Sequence, residues 1–169
     1  MFCPGRTEAE TFGRLTREGW AVASIDYRLS VEATFPAPLA DVEAAIGWVA
    51  GEGSEAFGLD ASRIALWGES AGGHLAALAA TAADTPVRAV VDWYGPSDLA
   101  AIPKPPAQPG QLAAPSREEM LIGGLLAEHP ELTRAASHVH AANAAVPPFL
   151  LAHGTADSMV PTEQSLLLR

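Results

Sequence analysis

The chain has 169 residues, of which 49% are hydrophobic and 18% charged, a balance that fits one globular domain built around a single core. Its net charge of −10 and sequence pI near 4.8 exclude nucleic acid and anionic membrane surfaces as natural partners, since both need a basic face. The lone Cys3 excludes an intramolecular disulfide, and no window reaches the roughly eighteen apolar residues of a membrane span. No secretory signal pattern opens the chain and no thiol pair asks for an oxidising compartment, so a cytoplasmic setting is expected.

In chain order, Thr7 and Glu10 have capping-box spacing, with Phe12 and Leu15 on one apolar face before Gly19 stops the helix. Trp20 to Asp26 (WAVASID) is short and apolar and predicts the first strand. Pro36 and Pro38 introduce a second helix whose Leu39, Val42, Ile46 and Val49 share a face, and Gly51 and Gly53 end it. Arg63 to Trp67 (RIALW) reads as a parallel strand buried on both faces, followed by an Ala- and Leu-rich helix over His74 to Ala83. Val87 to Tyr94 predicts another strand, and Pro148 to His153 a further one. Alternating strand and helix predict an α/β fold, a parallel sheet with helices on both faces.

Gly95 to Val146 breaks the alternation. Six prolines between Pro96 and Pro115 forbid a long helix or inner strand, after which Ser116 to Leu126 and Pro130 to Ser137 look helical. Loops at the carboxyl ends of parallel strands surround the ligand crevice, so 95–146 is expected to be a cap or lid within one domain spanning 1–169.

The segment GESAGGHLA, Gly68 to Ala76, sits between the strand at Arg63 to Trp67 and the helix after it. A bare G-x-S-x-G match is weak, with about 0.08 expected by chance at this composition; the strand-to-helix setting makes it a nucleophile elbow. Gly68 and Gly72 flank the turn, where a Cβ at either is expected to clash, Glu69 precedes Ser70, and Ser70 is the expected attacking serine. The backbone N–H of Ala71, the residue after it, is the expected oxyanion donor.

With SIDYRLS (Ser24 to Ser30), FPAPLADV (Phe35 to Val42), GLDASRIALWGESAGGHLA (Gly58 to Ala76), WYGPSDL (Trp93 to Leu99) and PPFLLAHGTADSMVP (Pro147 to Pro161), the chain resembles the α/β-hydrolase superfamily. The resemblance is to its carboxylesterase and lipase branch, related to hormone-sensitive lipase and to feruloyl-esterase-like (BD-FAE-like) enzymes. It implies a partial α/β-hydrolase fold and a serine hydrolase cleaving small neutral esters through an acyl-enzyme. It needs no metal or other cofactor, and neither metal-ligand spacing nor a phosphate loop is present.

The resemblance makes Asp157, in HGTAD past a strand end, the triad acid; Asp98 in GPSDL is the second candidate, and both also read as turn caps. It sets the catalytic histidine a few tens of residues beyond the acid and the HGGG oxyanion loop before Met1, so the chain is expected to be an internal fragment with little or no activity alone. Of its histidines, His74 reads as a packed core residue and His153 as a group orienting the acid loop, while His129, His138 and His140 fall in or beside the cap. Arg28 reads as the partner of a nearby carboxylate, and Trp93 and Tyr94 either line an acyl pocket or fill core. Two other functions stay open: a serine peptidase of the prolyl-oligopeptidase kind, and a non-catalytic hydrolase-fold binding protein.

Overall fold

The computed structural model describes residues 8–82, 84–104, 114–141 and 146–169, which leaves Thr7 and its capping box outside the described residues. Helix α1 covers Glu8–Arg17 and ends at Gly19, whose φ of +85° is the left-handed conformation that a glycine adopts without a Cβ penalty. Helix α2, Ala37–Trp48, carries Pro38 in its first turn, where its missing N–H costs nothing. Its Val42 and Ile46 are buried. A π-type turn over Val49–Gly53 follows, with Gly51 out of helical geometry, and then the short α3, Ser54–Phe57.

Strand β1, Ile64–Glu69, leads through Ser70 into α4, Ala71–Thr81. Strand β2 is Val87–Trp93, and β3 is Phe149–Ala152. Among the described residues these form one parallel sheet in the order β1-β2-β3, with Glu69, Trp93 and Ala152 in register at its carboxyl end. Between β2 and β3 lie α5, Arg117–Ile122, and α6, Pro130–Ala135, and α7, Glu163–Leu166, follows β3. Helix α5 has a full capping box between Ser116 and Glu119.

One core joins Val42, Ile46, Ile64, Leu75, Ala76, Ala79, Ala80, Val87 and Val90, so α2 and α4 cover one face of the sheet. A second joins Phe35, Leu78, Leu99, Ile122 and Ala136. Leu78 projects from α4 while Leu99, Ile122 and Ala136 belong to the segment after β2, so that segment is packed onto the helix that follows Ser70. Arg28 makes a two-pronged ion pair with Asp41 of α2, with Nη2 to Oδ1 at 2.8 Å and Nε to Oδ2 at 2.9 Å. No helix among the described residues is long and apolar enough to cross a membrane.

Two expectations need correction. Trp20 to Asp26 forms no strand: a strand exists only against a ladder partner, and β1 pairs with β2 alone. Trp20 and Ile25 stay 44% and 40% exposed, and Trp20 packs its ring on the Arg63 guanidinium, 5.7 Å from the centroid. Nor is β1 buried on both faces. Ile64 is buried, but Ala65 and Trp67 on the alternate face are exposed, and Trp67 meets Phe12 of α1 and Trp93 of β2 edge-on.

Candidate active site

Ser70 stands between β1 and α4 at φ +51° and ψ −119°, a conformation that costs a residue with a Cβ of order 1–3 kcal/mol. It persists because its neighbours over-determine it. The Ser70 N–H donates to the Trp93 carbonyl at the end of β2 (2.8 Å), and its own carbonyl accepts from His74 N one turn into α4 (3.0 Å). A Cβ on Gly68 would overlap the backbone of Gly72 and Gly73, so the strand and helix approach more closely than any larger residue permits. Gly72 differs from expectation: a Cβ there meets nothing within 4 Å among the described residues. The second tight position is Gly73, where a Cβ would overlap the carboxylate of Asp92. Ala71 is exposed at the first position of α4, where helix geometry leaves its N–H without an intrahelical acceptor.

Glu69 is tied to the next strand end by Tyr94, whose hydroxyl donates to Glu69 Oε2 at 2.8 Å. Tyr94 itself sits at φ +47°, so two consecutive strand ends, at Ser70 and Tyr94, each make a left-handed turn.

Asp157 lies in the turn after β3. Its Oδ1 accepts from the backbone N–H groups of Met159 (2.8 Å) and Val160 (2.9 Å), and these amides hold the carboxyl below the usual carboxylate range. Oδ2 lies 3.7 Å from His153 Nε2. The ring of His153 is spent on the same loop: Nε2 donates to the Val160 carbonyl at 2.8 Å and Nδ1 accepts from the Ser165 hydroxyl at 2.7 Å. A serine, a histidine and an aspartate are thus in line, but the His153 side chain is 3% exposed and Ser165 8%. Ser165 and His153 are thus closed to substrate, while Asp157 keeps 24% of its side chain exposed. With β2 between β1 and β3, the chain positions at Ser70 and His153 are two strand spacings apart, about 10 Å, at the same edge of the sheet.

The other candidates lie apart from this edge in chemistry. His74 is buried; Nδ1 donates to the Pro96 carbonyl (2.8 Å), Nε2 has no partner among the described residues, and burial lowers its pKa. His138 is fully buried 5.9 Å away, ring to ring, and burial with His74 beside it pushes its pKa down to about 3. Asp98 caps the turn at Leu99–Ala101 by accepting from Ala100 N, with His140 4.0 Å from its other oxygen. Asp92 is buried under the first turn of α4, accepts from Gly95 N, and has its pKa raised by burial.

A family model described as BD-FAE matches residues 5–169, nearly the whole chain. The chain belongs to the BD-FAE family. Like other BD-FAE members it is an α/β-hydrolase of the carboxylesterase type, and the three parallel strands with flanking helices are part of that fold. It is 35% identical over 164 residues to Esterase LipQ and 36% identical over 172 residues to Esterase LipC, both of Mycobacterium tuberculosis. These matches take in 90% of this chain in each case, and 38% and 40% of those two proteins. The chain therefore spans about two fifths of the length of the curated relatives it matches. Among solved structures it is similar to a bifunctional GH43-CE protein of Bacteroides eggerthii, with 33% identity and a TM-score of 0.81, over 95% of this chain and 23% of that one.

Four residues of this candidate site escape a reading of the sequence: Tyr94 as partner of Glu69, Ser165 as partner of His153, and the buried pair Ser97 and Gln164. Only Gln164 and Ser165 leave a trace, as polar residues directly before the apolar run Leu166 to Leu168.

Proposed function

We propose that this chain carries the nucleophile and the acid of a serine ester hydrolase, with Ser70 attacking the ester carbonyl and Asp157 orienting and charge-stabilising the histidine that takes the Ser70 proton. The observation that carries the reading is the Ser70 turn. Its strained backbone, the overlap a Cβ at Gly68 would meet, and the exposed start of α4 are what a nucleophile elbow requires. Attack by Oγ forms a tetrahedral intermediate whose oxyanion accepts from the Ala71 N–H. Collapse expels the alcohol and leaves an acyl-Ser70 ester, which water then hydrolyses. The names of LipQ and LipC, both esterases, support an ester as substrate, and the acidic chain favours a small neutral one.

The proton-accepting histidine is not supplied by the buried or committed histidines here. His74 and His138 are enclosed and held neutral, and both nitrogens of His153 are engaged in its own loop. His129 and His140 belong to the 95–146 segment, which we read as a cap over the site. Since the chain spans about two fifths of the length of LipQ and LipC, we assign the base to the part of such a longer protein that lies outside these 169 residues. Expressed alone, the chain should turn over a short-chain nitrophenyl ester near background. Expressed with the coding sequence on either side, it should hydrolyse that ester, and Ser70→Ala should lower kcat by about 10⁴ or more. Rapid Ser70-dependent hydrolysis by the 169-residue chain alone would place the base on one of its own histidines. A clear preference for peptide amides over esters of the same acyl group would turn the reading toward a peptidase.

A further inference from the structure

Gln164 is 1% exposed, yet it belongs to α7, a single turn of helix at the protein surface. Its side-chain oxygen accepts two backbone bonds from a segment 66 and 67 residues away, from Ser97 N and Asp98 N at 2.8 Å each. Ser97, fully buried, returns a bond from its hydroxyl to the Gln164 carbonyl at 2.6 Å. The Ser97 carbonyl in turn accepts from Val139 N at 3.3 Å, and Leu99 N donates to Ser137 Oγ at 3.1 Å, so both ends of the segment between β2 and β3 meet here. On the other side, Ser165 follows Gln164 directly, and its hydroxyl begins the run to His153 Nδ1, then from Nε2 to the Val160 carbonyl. The Val160 N–H closes the run on Asp157 Oδ1.

We propose that Gln164 is a positioning residue for the Asp157 loop, fastening α7 to the turn after β2 so that Ser165, His153 and Val160 hold the Asp157 carboxylate in one place. The proposal rests on the reading of Asp157 as the triad acid for its catalytic meaning, but not for its geometry. A buried amide oxygen accepting two main-chain N–H groups is costly to remove, because both donors are left without a partner. The same contact makes Asp157 sensitive to the base of the 95–146 segment, since Ser97 and Asp98 open it.

The test is a titration by NMR of the ¹³C-labelled Asp157 carboxyl and the ¹⁵N-labelled His153 ring in the 169-residue chain. In the parent, Asp157 should titrate below the ordinary range and His153 should show the Nε2–H tautomer. Gln164→Leu, in a chain whose β2 and β3 amide signals are unchanged, should raise the Asp157 midpoint toward the ordinary carboxylate value and mix the His153 tautomers. If Gln164→Leu does not fold, Ser97→Ala decides. It removes the hydroxyl that donates to the Gln164 carbonyl and side-chain oxygen, leaves the two main-chain bonds of the clamp, and should move Asp157 and His153 in the same direction by less. Unmoved Asp157 and His153 signals in the folded Gln164→Leu chain, or failing that in Ser97→Ala, would overturn the proposal. Glu119→Gln, which breaks the remote pair with Lys104, should leave both signals in place; an equal response there would also overturn it. Because none of this depends on turnover, a separate failure of Asp157→Asn to lower activity in the flanked protein would remove the catalytic reading of Asp157 and leave the clamp standing.

Discussion

The turn at Ser70 and the turn at Asp157 sit at the same edge of one sheet and are held by opposite means. Ser70 is fixed by main-chain packing: glycine at 68 and 73, a positive φ, and hydrogen bonds between backbone groups. Asp157 is fixed by side chains: its own carboxylate on two amides, then His153, Ser165 and Gln164. A turn built from backbone closeness can be read from local sequence, because the glycines it needs stand beside it. A turn built from side-chain bonds depends on residues that folding alone brings near.

The largest expected effect breaks the first turn. Gly68→Val puts carbon into the backbone of Gly72, a clash that no rotamer relieves, and should cost more than about 4 kcal/mol or prevent folding. Gly73→Ala, which meets the Asp92 carboxylate, should also be severe. Gly72→Ala, in open space within a helix, should change stability by no more than about 1 kcal/mol and in the favourable direction. Urea denaturation of the three variants gives the order directly.

The next effect is one of pH, and it concerns the helix behind Ser70. His138, with its pKa pushed to about 3 by burial, is neutral in the folded chain, whereas the unfolded chain protonates it near 6.5. The unfolded state therefore binds more protons between these values. Stability is complete above about pH 6.5 and is lost as pH falls toward 3, by up to about 1.4 kcal/mol per pH unit from this group. His74, lowered in the same direction, adds to the loss. Melting curves from pH 7 to 4 should show it, and His138→Leu should flatten the slope.

A smaller effect belongs to the second turn. Ser165→Ala deletes the hydroxyl that His153 Nδ1 accepts from and leaves that nitrogen without its donor, a loss of about 1–3 kcal/mol. The Ser70 turn should not register it, and the amide shifts of Ser70 and Ala71 would tell. The smallest effect is a gain: Ser70→Gly relieves the positive φ and should stabilise the chain by about 0.5–1 kcal/mol net, while removing the nucleophile.

The same contrast explains what the sequence made legible. β2 and β3, the presence of α4 and the serine turn were readable because apolar runs and neighbouring glycines declare them locally, although composition set the start of α4 at His74, three residues past Ala71. Trp20 to Asp26 has the composition of a strand but no partner to pair with, and composition does not report a partner. Gly72 and Gly73 are adjacent in GESAGG, and only the position of Asp92, twenty residues on, shows which of them is pressed. The partners of Gln164 were out of reach for the same reason, Ser97 and Asp98 lying across the whole 95–146 segment.

Mass spectrometry of the protein expressed with its flanking sequence, quenched during turnover of a short-chain nitrophenyl ester, tests whether Ser70 is the acyl-accepting nucleophile. One added acyl group should appear, mapped to the peptide that contains Ser70 and absent from Ser70→Ala. Acyl on a different residue, or undiminished turnover by Ser70→Ala, would contradict it.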